Sequence, residues 1–207
     1  MPFSNYKNID TVAQEFQIKY IYTNFVNEIQ FSVNQNFKEE LDFAISNLSV
    51  YSSEYAICEN LIFPILKEVW KPYYDKLMLW SHRTLTYDEK LSGQPDYIVT
   101  KLNPLGRMIF DKPYFLLVEA KLDNFNEGWG QCLAELVAVQ KINNDLEQTI
   151  FGIVSNGELW QFGKLKGDIF TRNIISYNIE SLDKLFAVVN YVFQQCLLQL
   201  ENSEKNL

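Results

Sequence analysis

An acidic and a basic residue lie two positions apart in the segment YFLLVEAKL, residues 114–122. The apolar run before them predicts a buried strand, and alternate side chains of a strand project from the same face, so Glu119 and Lys121 point together. Charged groups inside an apolar strand cost several kcal/mol unless they are paired or bind something. The two residues therefore predict a chemical site, and an exposed cross-strand ion pair is the structural alternative.

A second carboxylate, Asp96, follows Pro95 at the start of the preceding apolar segment, PDYIVTKL. If this segment forms a hairpin with the segment that carries Glu119, the two carboxylates face the same point. Asp and Pro are also common where strands begin, because the Asp side chain can bond its own backbone. A role for Asp96 in a turn is therefore the alternative.

Two carboxylates and a lysine have a chemical use together. Hard divalent cations such as Mg²⁺ prefer oxygen ligands, and one or two carboxylates commonly complete a shell of waters and substrate phosphate. Asp96 and Glu119 would be the metal ligands, with the main-chain carbonyl of Ala120 as a further oxygen. The cation would polarise a phosphoryl oxygen and activate a water, while Lys121 orients that water or stabilises charge on the phosphate. The pattern predicts hydrolysis of a phosphodiester bond.

The rest of the sequence predicts the elements that position these residues. Apolar residues at helical spacing predict a helical amino-terminal third, over residues 10–32, 38–48 and 53–69. Pro64 lies within the last stretch and would kink or end that helix unless it opens a new one. Short segments rich in aromatic and branched residues then predict strands over residues 77–85, 95–102, 114–122, 149–155, 158–164 and 168–177. Helices that pack on the sheet are predicted over residues 131–142 and 182–200.

The pair Asn156-Gly157 separates two of the predicted strands. Asn-Gly is the pair that most readily supplies two positive φ angles in a tight hairpin turn. The sequence therefore predicts a hairpin between residues 149–155 and residues 158–164.

The motif of Pro95-Asp96 followed by Glu119-Ala120-Lys121 resembles that of the PD-(D/E)XK nuclease superfamily. The predicted order over residues 53–155, which is helix, three strands, helix and strand, matches the core of that superfamily. The segment SNGELWQFGKL also resembles the hairpin after this core in restriction-type relatives, including the nuclease domains of type I restriction motor subunits. The resemblance covers roughly residues 53–164 and points to small bacterial proteins described as restriction-endonuclease-like.

The resemblance implies an α/β fold with a restriction-endonuclease-like core, α-β-β-β-α-β, around a central mixed sheet with an added hairpin. One domain over residues 1–207 is expected. It would comprise a helical extension (1–50), the nuclease-like core (53–164), and an added strand with a carboxy-terminal helix (168–200).

The resemblance also implies two supporting residues. Related families carry a glutamine on the helix after the lysine strand, which corresponds here to Gln131. They add a carboxylate on the first core helix, which corresponds to Glu59, with Glu54 as the competing choice. The alternative for Gln131 is a solvated helix edge shared with Glu135, four residues further along.

The composition limits other classes of protein. The 207 residues, 47% of them hydrophobic, suffice for one buried core. The sequence has neither a secretion signal nor an apolar segment near the roughly 20 residues of a membrane-spanning helix, so a soluble cytoplasmic protein is expected. Cys58, Cys132 and Cys196 are odd in number and far apart, which predicts buried reduced thiols rather than a disulfide framework or zinc site. His82 is the only histidine and is expected to face solvent.

The net charge of −8 argues against indiscriminate binding of nucleic acid, because phosphate contacts reward clustered Lys and Arg. The favoured function is nevertheless a Mg²⁺-dependent DNA endonuclease, with Mn²⁺ able to substitute for Mg²⁺. Its catalytic residues would be Asp96, Glu119, Lys121 and Gln131. The alternative is a non-catalytic module of nuclease fold that binds a partner or assembles. A homodimer would suit the cutting of both strands of a duplex, although the sequence does not show one.

Overall fold

Ten strands are present in the computed structural model, which describes residues 2–205. They are β1 (Lys19–Tyr22), β2 (Leu77–Ser81), β3 (Leu85–Thr86), β4 (Ser92–Gly93), β5 (Tyr97–Lys101), β6 (Tyr114–Ala120), β7 (Ile150–Ser155), β8 (Leu159–Lys166), β9 (Ile169–Arg172) and β10 (Tyr177–Asn178). The helices are α1 (Ile9–Phe16), α2 (Gln35–Asn47), α3 (Glu54–Ile57), α4 (Phe63–Trp70), α5 (Phe125–Asn143) and α6 (Leu182–Lys205). A π-helical turn, Cys58–Ile62, joins α3 to α4, and short 3-10 turns occur at Pro2–Asn5, Lys71–Tyr73 and Ile179–Ser181.

Eight of these strands form one mixed sheet in the order β1-β9-β8-β7-β6-β5-β2, with β10 paired to β8. The central pair, β6 and β7, is parallel, and every residue of both strands is buried. Strands covered on both faces read as continuous apolar runs, as these two do. Helix α5 lies against one face, and α4 and α6 lie against the other. The prediction of an α/β fold with a mixed central sheet and helices at both ends of the chain is confirmed.

The first fifty residues differ from the predicted helical extension. Helix α1 ends at Phe16, Gln17 takes a left-handed φ of 55°, and the segment that follows is strand β1. This strand joins the central sheet in parallel with β9. The prediction of one helix over residues 10–32 is therefore wrong. The apolar residues in this segment have helical spacing, but part of the segment forms an exposed edge strand because it pairs with a strand that lies far along the chain.

The helical backbone continues through Pro64, and its hydrogen bonding changes in the turn before the proline. The stretch predicted over residues 53–69 is divided into α3, the π-helical turn and α4, and Pro64 lies in the first turn of α4. The N–H of Phe63, just before the proline, donates to the Cys58 carbonyl five residues earlier, so the π-helical turn accommodates a residue that has no N–H to donate.

The hairpin at Asn156-Gly157 is present, but its turn is not the predicted one. Gly157 alone takes a positive φ, of 83°. The Asn156 side chain instead accepts hydrogen bonds from the N–H groups of Glu158 (3.1 Å) and Leu159 (2.7 Å). The turn is therefore a side-chain-bonded one that connects β7 to β8 in antiparallel pairing.

All three cysteines are buried and unbonded to one another, which confirms the prediction of reduced thiols. Between residues 2 and 205, no helix combines the length and apolar character needed to cross a membrane.

We expect Gly157→Ala to destabilise the fold more than Gly167→Ala does. Both glycines have positive φ, which costs an alanine about 1–2 kcal/mol. A Cβ at position 157 would also lie 2.6 Å from Leu61 Cδ1, whereas nothing lies within 4 Å of one at position 167. The crowding should add about 1–3 kcal/mol to the loss in free energy of unfolding, measured by urea titration. Equal losses in the two variants would show that Leu61, in the π-helical turn, can move away from the added Cβ without lowering the free energy of unfolding.

Candidate active site

Asp96 is held against the strand that carries Glu119 and Lys121. The register that pairs Tyr97 with Val118 places Asp96 opposite Glu119 at the end of the hairpin. The Ala120 N–H donates to Asp96 Oδ2 at 2.7 Å. Because the N–H and C=O of one strand residue point toward the same neighbouring strand, the Ala120 carbonyl also turns toward β5. The structure therefore brings Asp96 to the backbone that links the other two predicted residues.

Lys121 lies between two carboxylates. Its Nζ is 3.6 Å from Glu54 Oε2 and 3.9 Å from Glu119 Oε2, and the side chain is 14% exposed. Burial lowers the pKa of Lys121, but the charges of Glu119, Glu54 and Asp96 outweigh it and raise the pKa above its ordinary value. The ammonium group is therefore charged at neutral pH.

The first turn of α5 packs against the Lys121 side chain at Gly128. A Cβ at position 128 would lie 2.8 Å from Lys121 Cγ and 2.7 Å from Val154 Cγ1. Real Cβ atoms do not approach other carbons so closely, so the helix reaches the sheet here because the residue is glycine. Gly128 therefore lets the first turn of α5 pack directly against the aliphatic part of the Lys121 side chain.

Glu119 and Glu135 form a buried pair of carboxyl groups. Glu119 is 1% exposed, and Glu135 reaches it from α5 with no exposed surface. Within residues 2–205, Glu119 Oε1 and Glu135 Oε2 receive no hydrogen bond from a donor group. Each carboxyl group changes the pKa of the other through a side-chain hydrogen bond, which requires a proton between them. Either a proton or a cation must occupy this place, because two buried anions in contact repel each other.

The pKa values of the pair follow from its burial. Loss of water raises the pKa of Glu119 well above its ordinary value, and the charges of Glu135 and Asp96 raise it further. Burial also raises the pKa of Glu135 to about 8, although hydrogen bonds with Glu119 and Gln131 act in the opposite direction. Without a cation, the pair retains a proton at neutral pH.

Gln131 belongs to this site indirectly. Its Nε2 donates to Glu135 Oε1 at 3.3 Å, and Glu135 in turn faces Glu119. The interpretation of Gln131 and Glu135 as a solvated helix edge is wrong, because Glu135 is fully buried. The sequence predicts no role for Glu135. The only feature of the sequence that points to this residue is its spacing of four residues from Gln131.

Glu54, rather than Glu59, supplies the carboxylate of the first helical segment. Glu54 contacts Lys121, whereas Glu59 is exposed and lines a cleft of about 370 Å³ beside Glu40 and Lys67. Glu54 lies in α3 and Glu59 in the π-helical turn, and their side chains leave the helix in different directions. The choice of Glu59 is corrected for this reason.

The His82 ring is turned toward Asp96, although the sequence predicts a residue that faces solvent. The ring Nε2 lies 3.3 Å from Asp96 Oδ1. The backbone N–H of His82 donates to the backbone carbonyl of Asp96 at 2.8 Å. The pairing of Ser81 with Tyr97 sets these two residues opposite each other. Strand pairing is the only signal that could have revealed the contact, because residues 82 and 96 share no motif.

Only one group of at least three Cys, His, Asp or Glu residues within residues 2–205 has ligand atoms mutually within 4.8 Å. It consists of Cys58, His82 and Asp96. The carboxylates of Asp96 and Glu119 are not part of such a compact set with a third acidic group. The charge of Asp96 acts on Glu119 through space and raises its pKa.

Comparisons with known proteins do not assign the chain to a family. No model of a protein family matches the sequence. A comparison with curated proteins also yields no match.

We expect Glu135→Gln to stabilise the metal-free protein at alkaline pH. A carboxyl group whose pKa rises from 4.5 to about 8 on folding loses stabilising free energy as the pH increases through that interval. The glutamine cannot ionise, and its amide can donate to Glu119. The groups that face position 135 are Glu119, Gln131, Asp96 and Lys121.

Thermal unfolding in a chelating buffer should show the Tm of the wild type falling, relative to that of the variant, between pH 4.5 and pH 8. The difference at pH 8 should reach several degrees, since about 1 kcal/mol corresponds to about 2–4 °C in a chain of this length. Glu147→Gln, at an exposed glutamate paired with Lys166, is the matched control. Parallel pH profiles for wild type and Glu135→Gln would contradict the shared-proton arrangement.

Proposed function

We propose that this chain is a Mg²⁺-dependent endonuclease that hydrolyses phosphodiester bonds in DNA. The observation that carries the proposal is the meeting of Asp96, Glu119 and Lys121 at the ends of two paired strands. Structural ion pairs alone do not account for this group, because a buried oxygen of Glu119 has no donor. Strongly perturbed carboxyl groups beside a lysine are typical of functional sites.

The order of elements supports a restriction-endonuclease-like core. From α4 onward the chain forms β2, β5, β6, α5 and β7, with only the small hairpin β3-β4 inserted. This is the helix, three-strand, helix and strand order that the resemblance to PD-(D/E)XK nucleases implies. We therefore propose this fold for residues 53–164.

The residues present fit a hard divalent cation. The oxygen of Glu119 that lacks a donor is a ligand atom already removed from water. Asp96, opposite Glu119 in the strand register, and the carbonyl of Ala120, the residue after Glu119, would supply further oxygens. These three groups would hold Mg²⁺, or Mn²⁺ in its place. When bound, the cation supplies Lewis-acid activation of the phosphoryl oxygen and of a water.

The protein's own groups orient the reaction. Charged Lys121 can donate hydrogen bonds to a phosphate oxygen or to the attacking water at the mouth of the site. Glu54 and Glu119 hold the ammonium group from two sides and keep it protonated. Gln131 positions Glu119 through Glu135, so its role is to support the carboxylate rather than to contact the substrate.

The second candidate is a nuclease-fold module that binds a partner or assembles without turnover. It is favoured by the state of Asp96, both of whose oxygens already face partners, the Ala120 N–H and the His82 ring. The net charge of −8 also favours a partner other than nucleic acid. In this case calorimetry would detect no binding of Mg²⁺ or Mn²⁺ that depends on Glu119.

We expect the purified chain to cleave plasmid or single-stranded DNA in the presence of Mg²⁺ or Mn²⁺, and to lose that activity on addition of a chelator. Lys121→Ala should lower the rate by about 100–1,000-fold, because it removes a donor aimed at developing charge. Asp96→Ala should remove the metal dependence together with the activity. Gel electrophoresis of the products measures both effects.

The matched control is Lys166→Ala, which removes an exposed lysine paired with Glu147 away from the site. Its rate should equal that of the wild type. Absence of cleavage of any DNA or RNA with any divalent ion would remove the catalytic proposal and leave the binding module.

A further inference from the structure

We propose that Cys58, His82 and Asp96 form a second cation site, selective for thiophilic divalent ions such as Zn²⁺. Their sulfur, nitrogen and oxygen ligand atoms lie within 4.8 Å of one another, which matches the span of ligands around one cation. The three residues come from the π-helical turn and from the ends of β2 and β5. No sequence motif connects them, so the site exists only in the folded chain.

The His82 ring is oriented as a metal ligand requires. Its Nδ1 lies 2.6 Å from Ser81 Oγ, within hydrogen-bond distance. In the tautomer that donates from Nδ1 to that oxygen, the lone pair is on Nε2, where a metal ion would be bound. Nε2 is buried and makes no hydrogen bond, although Asp96 Oδ1 is only 3.3 Å away. In this tautomer the lone pair faces a carboxylate oxygen and is repelled by it, and a cation between the two atoms would remove the repulsion.

The backbone of His82 holds this arrangement at a cost. Its φ of 50° is a left-handed conformation that residues other than glycine adopt infrequently. Tyr97 packs edge-on against the ring, with 5.9 Å between the ring centroids, and its hydroxyl donates to the Cys58 carbonyl at 3.0 Å. One tyrosine therefore fixes the relative positions of the histidine and the cysteine.

The sulfur ligand sets the class of cation. Cys58 is buried, and burial together with the charge of Asp96 raises the pKa of its thiol to about 12. A hard ion such as Mg²⁺ gains little from sulfur, whereas Zn²⁺ or Co²⁺ binds the thiolate and releases the thiol proton to solvent. Three protein ligands leave a fourth position for water, since His82 and Asp96 are both partly exposed.

Asp96 also belongs to the proposed Mg²⁺ site, and in this respect alone the inference rests on the proposed function. Occupancy by Zn²⁺ at Oδ1 would draw charge from the carboxylate that the first site shares and place a second cation beside that site, so Zn²⁺ should inhibit Mg²⁺-dependent cleavage. Binding at Cys58 and His82 itself is independent of any nuclease activity.

The test is titration of the chelator-treated full chain with Co²⁺, in a phosphine reductant that supplies no thiol. The wild type should bind one Co²⁺ and develop near-ultraviolet absorption from charge transfer between thiolate and cobalt, together with visible bands of tetrahedral coordination. Addition of Zn²⁺ should abolish both signals by displacement. Ser81→Ala should weaken binding by about 10-fold or more and retain the spectrum, because it removes the group that orients His82.

Two variants locate the ion, and two control variants show whether a different thiol or carboxylate binds it. Cys58→Ser should abolish the charge-transfer band, but it changes a buried residue and could disturb the fold. His82→Gln should also abolish the band, and it changes a partly exposed ring. Cys196→Ala removes another buried thiol and should leave the spectrum unchanged. Glu119→Gln should leave it unchanged too, even if it ends cleavage, which separates failure of this inference from failure of the proposed nuclease.

A wild-type chain that shows no thiolate-to-cobalt band overturns the proposal, and so does a band that persists in His82→Gln. In either case the ring of His82 is only a contact partner of Asp96 and not a metal ligand. Circular dichroism of each variant identifies any that have lost the fold.

Discussion

The burial of the Glu119 carboxyl group is the constraint on which the site depends. It lies on a strand covered on both faces, where an ionised carboxylate loses its water. Lys121 supplies an opposite charge from the same strand, and Glu135 faces it from α5. A group that is costly in the folded chain and lacks a full set of donors gains most from a cation. Stability is therefore lowered at the point where the proposed chemistry needs a ligand.

Asp96 is the residue that the two proposed metal sites share. One of its oxygens accepts from the backbone of β6, beside the oxygen-rich group around Glu119. The other faces His82, beside the thiol of Cys58. Hard and thiophilic cations prefer these two surroundings respectively, because ligand softness governs their selectivity. Competition between the two cations would follow from a single shared side chain, without any change of conformation.

The elements that hold the site are drawn from distant parts of the chain. Helix α3 brings Glu54, the hairpin of β5 and β6 brings Asp96 and Lys121, and α5 brings Glu135. Gly128 permits α5 to approach the lysine stem closely enough to enclose the group. The amino-terminal segment adds β1 to the far edge of the same sheet, so it is part of the fold rather than an appended extension.

The sequence by itself determined the central strands, the crossover helix and the placement of Glu119 and Lys121 on one face. These features depend on local periodicity, which can be recognised within a short segment of the sequence. It did not determine β1, the choice of Glu54 over Glu59, or the contacts of His82 and Glu135. Those follow from strand register and helix rotation, and register is fixed by pairing between segments that are remote in the chain. Only the tertiary structure could place Cys58 and His82 beside Asp96, because no spacing rule relates residues brought together by a sheet and a π-helical turn.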